Sequence, residues 1–248
     1  MEENNDGTQS GDLNSVCASM DTLEISPKPD LDAYFAFLPN DDGDAMLHNA
    51  IIEQDESLAL YLINIAESAE WLSFKNSLSQ TPLHLAVLTN QLTVARRLVV
   101  GGASLKIQDR NLNTPLHLAS MKGLVMMMHT LTMPVRYLET KENKYDFPCQ
   151  SMTENMNIYN FEGLTCAHIA AMHGYNQILK MCIQCGANMN AQELKGGRTT
   201  LHIACAKGDT EAVKMLYSSG SCDASAKAYD GCTPVDLLKT NISKRDIL

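Results

Sequence analysis

Cys182-Ile-Gln-Cys185 is the stretch of this 248-residue chain that most resembles a metal or redox centre. A structural zinc needs four ligands, and two thiols two residues apart supply half a set. No second CxxC and no HxxxH stands in the sequence to complete it, so zinc is not expected. Cys166 and His168 could form a nucleophile and its base, but residues two apart on a helix point to different faces. Gly101-Gly102 and Gly196-Gly197 read as tight turns rather than as phosphate loops. Met126-Met127-Met128 falls on a helix and reads as adaptable core packing. Basic residues are not clustered with aromatics, which argues against direct nucleic-acid binding. The residues therefore predict neither an enzyme nor a cofactor.

Five of the seven histidines stand in one phrase, and that phrase shows what must position them. TPLHLAV (81–87), TPLHLAS (114–120), TCAHIAA (165–171) and TTLHIAC (199–205) are copies of each other. DAMLHNAI (44–51) and GCTPVDLL (231–238) are weaker ones. The anchors His48, His84, His117, His168, His202 and Asp236 are 36, 33, 51, 34 and 34 residues apart. In each copy Thr caps a first helix and Pro, where present, takes its first position, where a missing N–H costs nothing. Leu and Ala put an apolar face inward, and His is expected to bond the capping Thr or a backbone group. Gly123, Gly174 and Gly208 turn the chain into a second helix, such as 177–184 or 210–217. Gly102-Ala103, Gly186-Ala187 and Gly220-Ser221 end it, and a short finger leads to the next copy. One such unit cannot bury its own apolar face, whereas stacked units can. A period near 33 with T-P-L-H-x-A marks ankyrin repeats. The expected fold is all-α, a solenoid of about six repeats with short finger loops.

Charge and punctuation divide the chain further. Residues 1–44 hold eleven acids against Lys28, and the other 204 residues hold 18 acids and 18 bases, so the formal charge of −10 lies on the leader. Few apolar residues and high charge predict a disordered leader over 1–40, followed by a repeat domain over 41–240 and a short tail over 241–248. The leader is either a solubilising tail or a site for a basic partner segment. The 51-residue gap between His117 and His168 predicts an enlarged polar loop over about 133–161, either functional or a tolerated surface insertion. The chain has no apolar run of 18 residues and starts without a basic, apolar signal, so neither a membrane span nor secretion is expected, and the eight cysteines read as reduced thiols. The terminal repeat is rather apolar over Val235–Leu238 and is expected to be weakly ordered until covered.

The residues between the anchors carry a more specific likeness. Asp41-Asp42-Gly43-Asp44 before Leu47-His48-Asn49-Ala50-Ile51-Ile52 resembles the opening of the IκB/Cactus inhibitors of Rel/NF-κB factors. So do the stretches 71–80 (WLSFKNSLSQ), 157–163 (NIYNFEG), His173-Gly174-Tyr175 and 186–193 (GANMNAQE), each running into its own repeat. That family also carries a lengthened segment between its third and fourth repeats. The resemblance covers roughly residues 40–247. It implies an inhibitor, monomeric when free, that binds a Rel-homology dimer, masks its nuclear localisation segment and holds it in the cytoplasm, with some shuttling to the nucleus. By position, Asp41, Asp42 and Asp44 would face that basic segment, and Tyr229 matches an aromatic on the last finger. The family's leader motif D-S-G-x-x-S is altered here: Gln9 precedes Ser10-Gly11, and Ser15 lies five residues after Ser10 instead of four. It reads as a degenerate degron with Lys28 as the leader's lysine, or as any Ser-rich leader, and implies resistance to signal-induced degradation. The family's acidic tail is replaced by a mildly basic one (NISKRDIL, 241–248). A nuclear IκB-like coregulator and a generic ankyrin adaptor are the competing readings.

Overall fold

The computed structural model describes residues 36–145 and 155–238. Helices come in antiparallel pairs, one pair per repeat. Inner helices are α1 (Met46–Ile52), α3 (Pro82–Leu88), α5 (Pro115–Met121), α7 (Cys166–His173) and α9 (Thr200–Lys207). Each is followed by an outer helix: α2 (Glu56–Ile65), α4 (Leu92–Val100), α6 (Val125–Thr132), α8 (Asn176–Gln184) and α10 (Thr210–Ser218). A sixth repeat contributes a helical turn over 234–238. Inner helices pack on inner and outer on outer down the stack. One continuous core results, with Leu47, Leu83, Leu116 and Leu201 from the inner helices and Leu62, Leu98, Met127, Met128 and Leu216 from the outer. Among the described residues no helix is long and apolar enough to cross a membrane.

Each of the five anchor histidines joins two repeats. In the second repeat the Thr81 backbone N–H donates to His84 Nδ1 at 3.1 Å, and Thr81 Oγ1 lies 2.8 Å from the same nitrogen. The opposite nitrogen, Nε2, lies 3.1 Å from the Asn113 carbonyl of the following finger. His48, His117, His168 and His202 repeat the arrangement towards Gln80, Leu164, Ala191 and Cys232. Since Nδ1 accepts a backbone N–H, the proton must sit on Nε2 and the ring is neutral. In the last repeat Asp236 takes this place, accepting from the Thr233 N–H and hydroxyl.

The first four fingers are asparagine- or aspartate-nucleated turns. One side-chain oxygen accepts two later N–H groups: Asn40 from Asp42 and Asp44, Asn76 from Leu78 and Gln80, Asp109 from Asn111 and Asn113, Asn160 from Glu162 and Leu164. Neighbouring fingers share one main-chain hydrogen bond each, running from Ser77, Arg110, Phe161, Leu194 and Tyr229 to the finger before.

The insertion is not a free loop over its first half. After α6, residues 133–145 turn back across the outer helices of repeats 2 and 1. The Arg96 guanidinium on α4 grips Glu139 through both forks (2.9 and 2.7 Å) and donates to the carbonyls of Met133 (2.8 Å), Pro134 (3.0 Å) and Thr130 (3.3 Å). Arg97 donates to Asn64 and to Asn143, and Asn143 returns a bond to the Val100 carbonyl. Tyr145 reaches the Gly101 carbonyl at 2.7 Å; burial pushes its phenol up to about 12. The segment is a strap fastening repeat 3 to repeats 1 and 2. Residues 146–154 lie outside the described part.

Candidate partner-binding surface

The thiols flagged by spacing are packing groups. Cys182 is buried with its Sγ 3.9 Å from that of Cys166. The hydrogen bond with Cys166, then burial, push the Cys182 thiol well above its usual range. Cys185 is only partly buried, and burial raises it too. Thiols held protonated are poor nucleophiles and poor metal ligands. Cys166 turns to Met156 while His168 serves the Thr165 cap, so the two do not act as a pair.

The residues singled out for partner binding fall at opposite ends of one surface, the ridge of finger tips. Asp41 and Asp42 are exposed at the first finger. Asp44 is half-buried, and one of its carboxylate oxygens accepts from the Asn76 amide at 2.9 Å. It pins the first finger to the second while Asp41 and Asp42 face solvent. Ser10, Ser15 and Lys28 lie outside the described residues, as does the tail over 241–248.

Tyr229 stands at the other end, 64% exposed. Its N–H donates to the Gly196 carbonyl at 2.9 Å, and its ring lies over Gly197. A Cβ on Gly197 would sit 2.3 Å from Tyr229 Cδ1, and φ there is +68°. Gly197→Ala is therefore expected to cost about 1–3 kcal/mol in urea unfolding and to dislodge the Tyr229 ring, seen as a shift of its ring resonances. An unmoved ring would show that the glycine is not what seats it.

Phe161 and Leu194 are equivalents of Tyr229 that the sequence reading missed. They occupy the same rung of the finger ladder and are 78% and 61% exposed. Leu194 packs over Gly163 as Tyr229 does over Gly197. The signal was present: Phe161-Glu-Gly, Leu194-Lys-Gly and Tyr229-Asp-Gly each place a large apolar residue two before a glycine. On the second and third fingers the same rung is held by Ser77 and Arg110. The ridge thus runs from acidic, through polar, to apolar. Exposed apolar groups aligned on rigid turns suit a protein partner.

A family model described as ankyrin repeats (3 copies) matches the chain twice, over residues 47–137 and 135–228. It is 36% identical over 154 residues to NF-kappa-B inhibitor alpha of Sus scrofa, covering 62% of this chain and 45% of that protein. It is 31% identical over 201 residues to the nuclear factor NF-kappa-B p105 subunit of Gallus gallus, covering 80% of this chain and 19% of that protein. The chain thus spans less than half the length of these curated relatives. Among solved structures it is similar to the ankyrin repeat domain of Bcl-3, a member of the IκB protein family, with a TM-score of 0.64 and 28% identity over 79% of this chain and 80% of that one. By its repeats the chain belongs to the ankyrin-repeat family, and within that family it is similar to the IκB proteins.

Proposed function

We propose that this protein is a non-enzymatic IκB-like inhibitor, a monomer when free. It binds Rel/NF-κB dimers, masks their nuclear localisation segment and retains them in the cytoplasm, resisting signal-induced degradation because its leader motif is altered. The observation that carries this reading is the exposed Asp41–Asp42 pair at the mouth of a repeat stack similar to NF-kappa-B inhibitor alpha. Solvated acids at the rim of a rigid surface attract and orient a basic segment, setting association rate and register more than raw affinity. The half-buried Asp44 holds the finger on which the pair is displayed.

A second reading, a nuclear coregulator that binds Rel dimers on DNA, is favoured by one feature. Lys195, Arg198 and Lys207 stand together at one groove of repeats 4 and 5, cations of the kind that suit DNA phosphates.

The test is Rel-dimer binding by the Asp41→Lys/Asp42→Lys variant. Affinity at low ionic strength is expected to fall about tenfold or more, with a smaller loss at high salt. Full-strength binding at low salt would remove the charge-mediated contact from the account. In a gel shift the wild-type protein is expected to remove the Rel–DNA band; a supershifted band would select the coregulator instead.

A further inference from the structure

Behind the apolar fingers, repeats 4 and 5 enclose a groove of about 490 Å³ between finger and inner helix. Its apolar part is Leu164, Ile203 and the half-exposed Met172. Five charged groups surround it: Lys195, Arg198, Lys207, Glu162 and Glu193. They do not cancel where a ligand would lie. The Glu193 carboxylate is consumed by its own finger, accepting from the N–H groups of Lys195 (2.7 Å), Gly196 (2.6 Å) and Arg198 (3.3 Å). Arg198 is about half exposed, with a loose contact of 3.9 Å to the equally exposed Asp230. Among the described residues no carboxylate pairs with Lys195. Lys207 is held in place by the Met172 carbonyl at 3.0 Å. Three cations therefore ring an apolar floor, with Glu162 on its edge and the loosely held Asp230 beside Arg198 as the acids left to oppose them.

We propose that this groove docks an acidic segment of the Rel partner, an aspartate or glutamate flanked by an apolar side chain. The carboxylate would lie against Arg198 and Lys195, and the apolar neighbour on Met172 and Ile203. The inference rests on the Rel-binding reading and assigns the far repeats a charge preference opposite to that of the first finger. A partner would then be read by two charges of opposite sign several repeats apart, which fixes the direction in which it lies along the stack. The groove's Lys195 directly follows the exposed Leu194, and its Arg198 follows Gly197, over which the exposed Tyr229 ring lies, which supports a protein occupant that extends beyond the cavity.

The test is zero-length carbodiimide cross-linking of the full chain with a Rel-homology dimer, once co-sedimentation has shown that the complex forms. The expected result is an amide between Lys195 or Lys207 and a carboxylate of the dimer, with Lys195→Glu/Arg198→Glu weakening the complex tenfold or more without changing the thermal melt. Cross-links from these lysines to the chain's own acidic leader, or to an isotope-labelled second copy, would overturn the proposal. So would a complex that forms with no cross-link there and is indifferent to the double substitution; in that case the Rel reading survives alone. If the wild-type chain forms no complex with any Rel dimer, the functional reading fails first and this docking assignment falls with it.

Discussion

Lowering the pH from 7 to 4 is expected to unfold the stack through its histidines, ahead of most carboxylates. His117 is the extreme case. Burial, offset only in part by the Leu164 and Ile158 carbonyls, pushes its imidazole down to about 4. His48, His84 and His168 are lowered for the same leading reason, desolvation. The geometry gives the cause a structural form. A second proton on the ring would occupy Nδ1, which accepts the Thr114 N–H at 3.2 Å and faces the Thr114 hydroxyl at 2.7 Å. A cationic ring thus loses its cap inside a site that is buried from solvent. Between the folded value and the unfolded value near 6.5, the unfolded chain binds more protons, so stability must rise with pH across that window. The contribution is complete above about pH 6.5 and is lost as pH falls towards 4. For His117 alone it amounts to roughly 3 kcal/mol, a large share of what a domain of this size has.

His117→Gln separates this from general acid denaturation. At neutral pH it is expected to cost on the order of 2–4 kcal/mol, by loosening both the Thr114 cap and the link to Leu164. It should also flatten the dependence of stability on pH between 4 and 6.5 by up to about 1.4 kcal/mol per pH unit, the slope of one linked proton. Urea unfolding at half-unit pH steps measures both. If the variant and the wild type share one slope, the ring is not the titrating element.

The repeated histidine was legible in the sequence because its neighbours are: a capping Thr three residues before and a fixed spacing to the next copy leave a buried imidazole few roles. The helix pairs and glycine turns were legible on the same ground. Gly174 and Gly208 take the left-handed conformation, while Asn90 and Gln54 take the equivalent place in the first two repeats. The apolar finger rung was missed because an exposed Phe161 or Leu194 looks, in one dimension, like any apolar residue near a turn. Its meaning comes from main-chain bonds between fingers more than thirty residues apart. Charge pattern likewise hid the packing at the start of the stack. Ala36 and Phe37 lie in the stretch read as acidic leader, yet both are buried, with Phe37 5.0 Å from the Trp71 ring. The strap was hidden for a related reason. Residues 133–145 show no helical period, since what orders them is a set of bonds to Arg96 and Arg97, and nothing in the local sequence names those partners.

Arg96→Met is accordingly expected to release the strap. Arg96 is the one side chain that holds Glu139 together with the carbonyls of Thr130, Met133 and Pro134, and it is mostly buried, 18% exposed. Methionine keeps the apolar stem against α4 but leaves three carbonyls without their donor and the Glu139 carboxylate with the Arg136 N–H alone. A fully buried pair broken this way costs more, but Glu139 is one-third exposed and can rehydrate, so the loss should be about 2–3 kcal/mol. Glu139→Gln keeps a hydrogen-bonding oxygen and should cost less, about 1 kcal/mol. The two losses should not add, since both report on one contact. The location of the effect matters more than its size. A repeat array normally couples only nearest neighbours, whereas the strap ties repeat 3 to the Asn64 and Ile65 end of α2 through Arg97, Asn143 and Lys144. Native-state hydrogen exchange should therefore show Arg96→Met lowering protection over the end of α6, over 133–145 and at the α2 and α4 termini together, with α8 to α10 unchanged. Loss confined to the substituted helix would mean that the insertion lies on the outer face without bracing it. Release in all three repeats at once would make the first half of the stack one cooperative unit, fastened from behind so that its finger ridge stays rigid and uncovered.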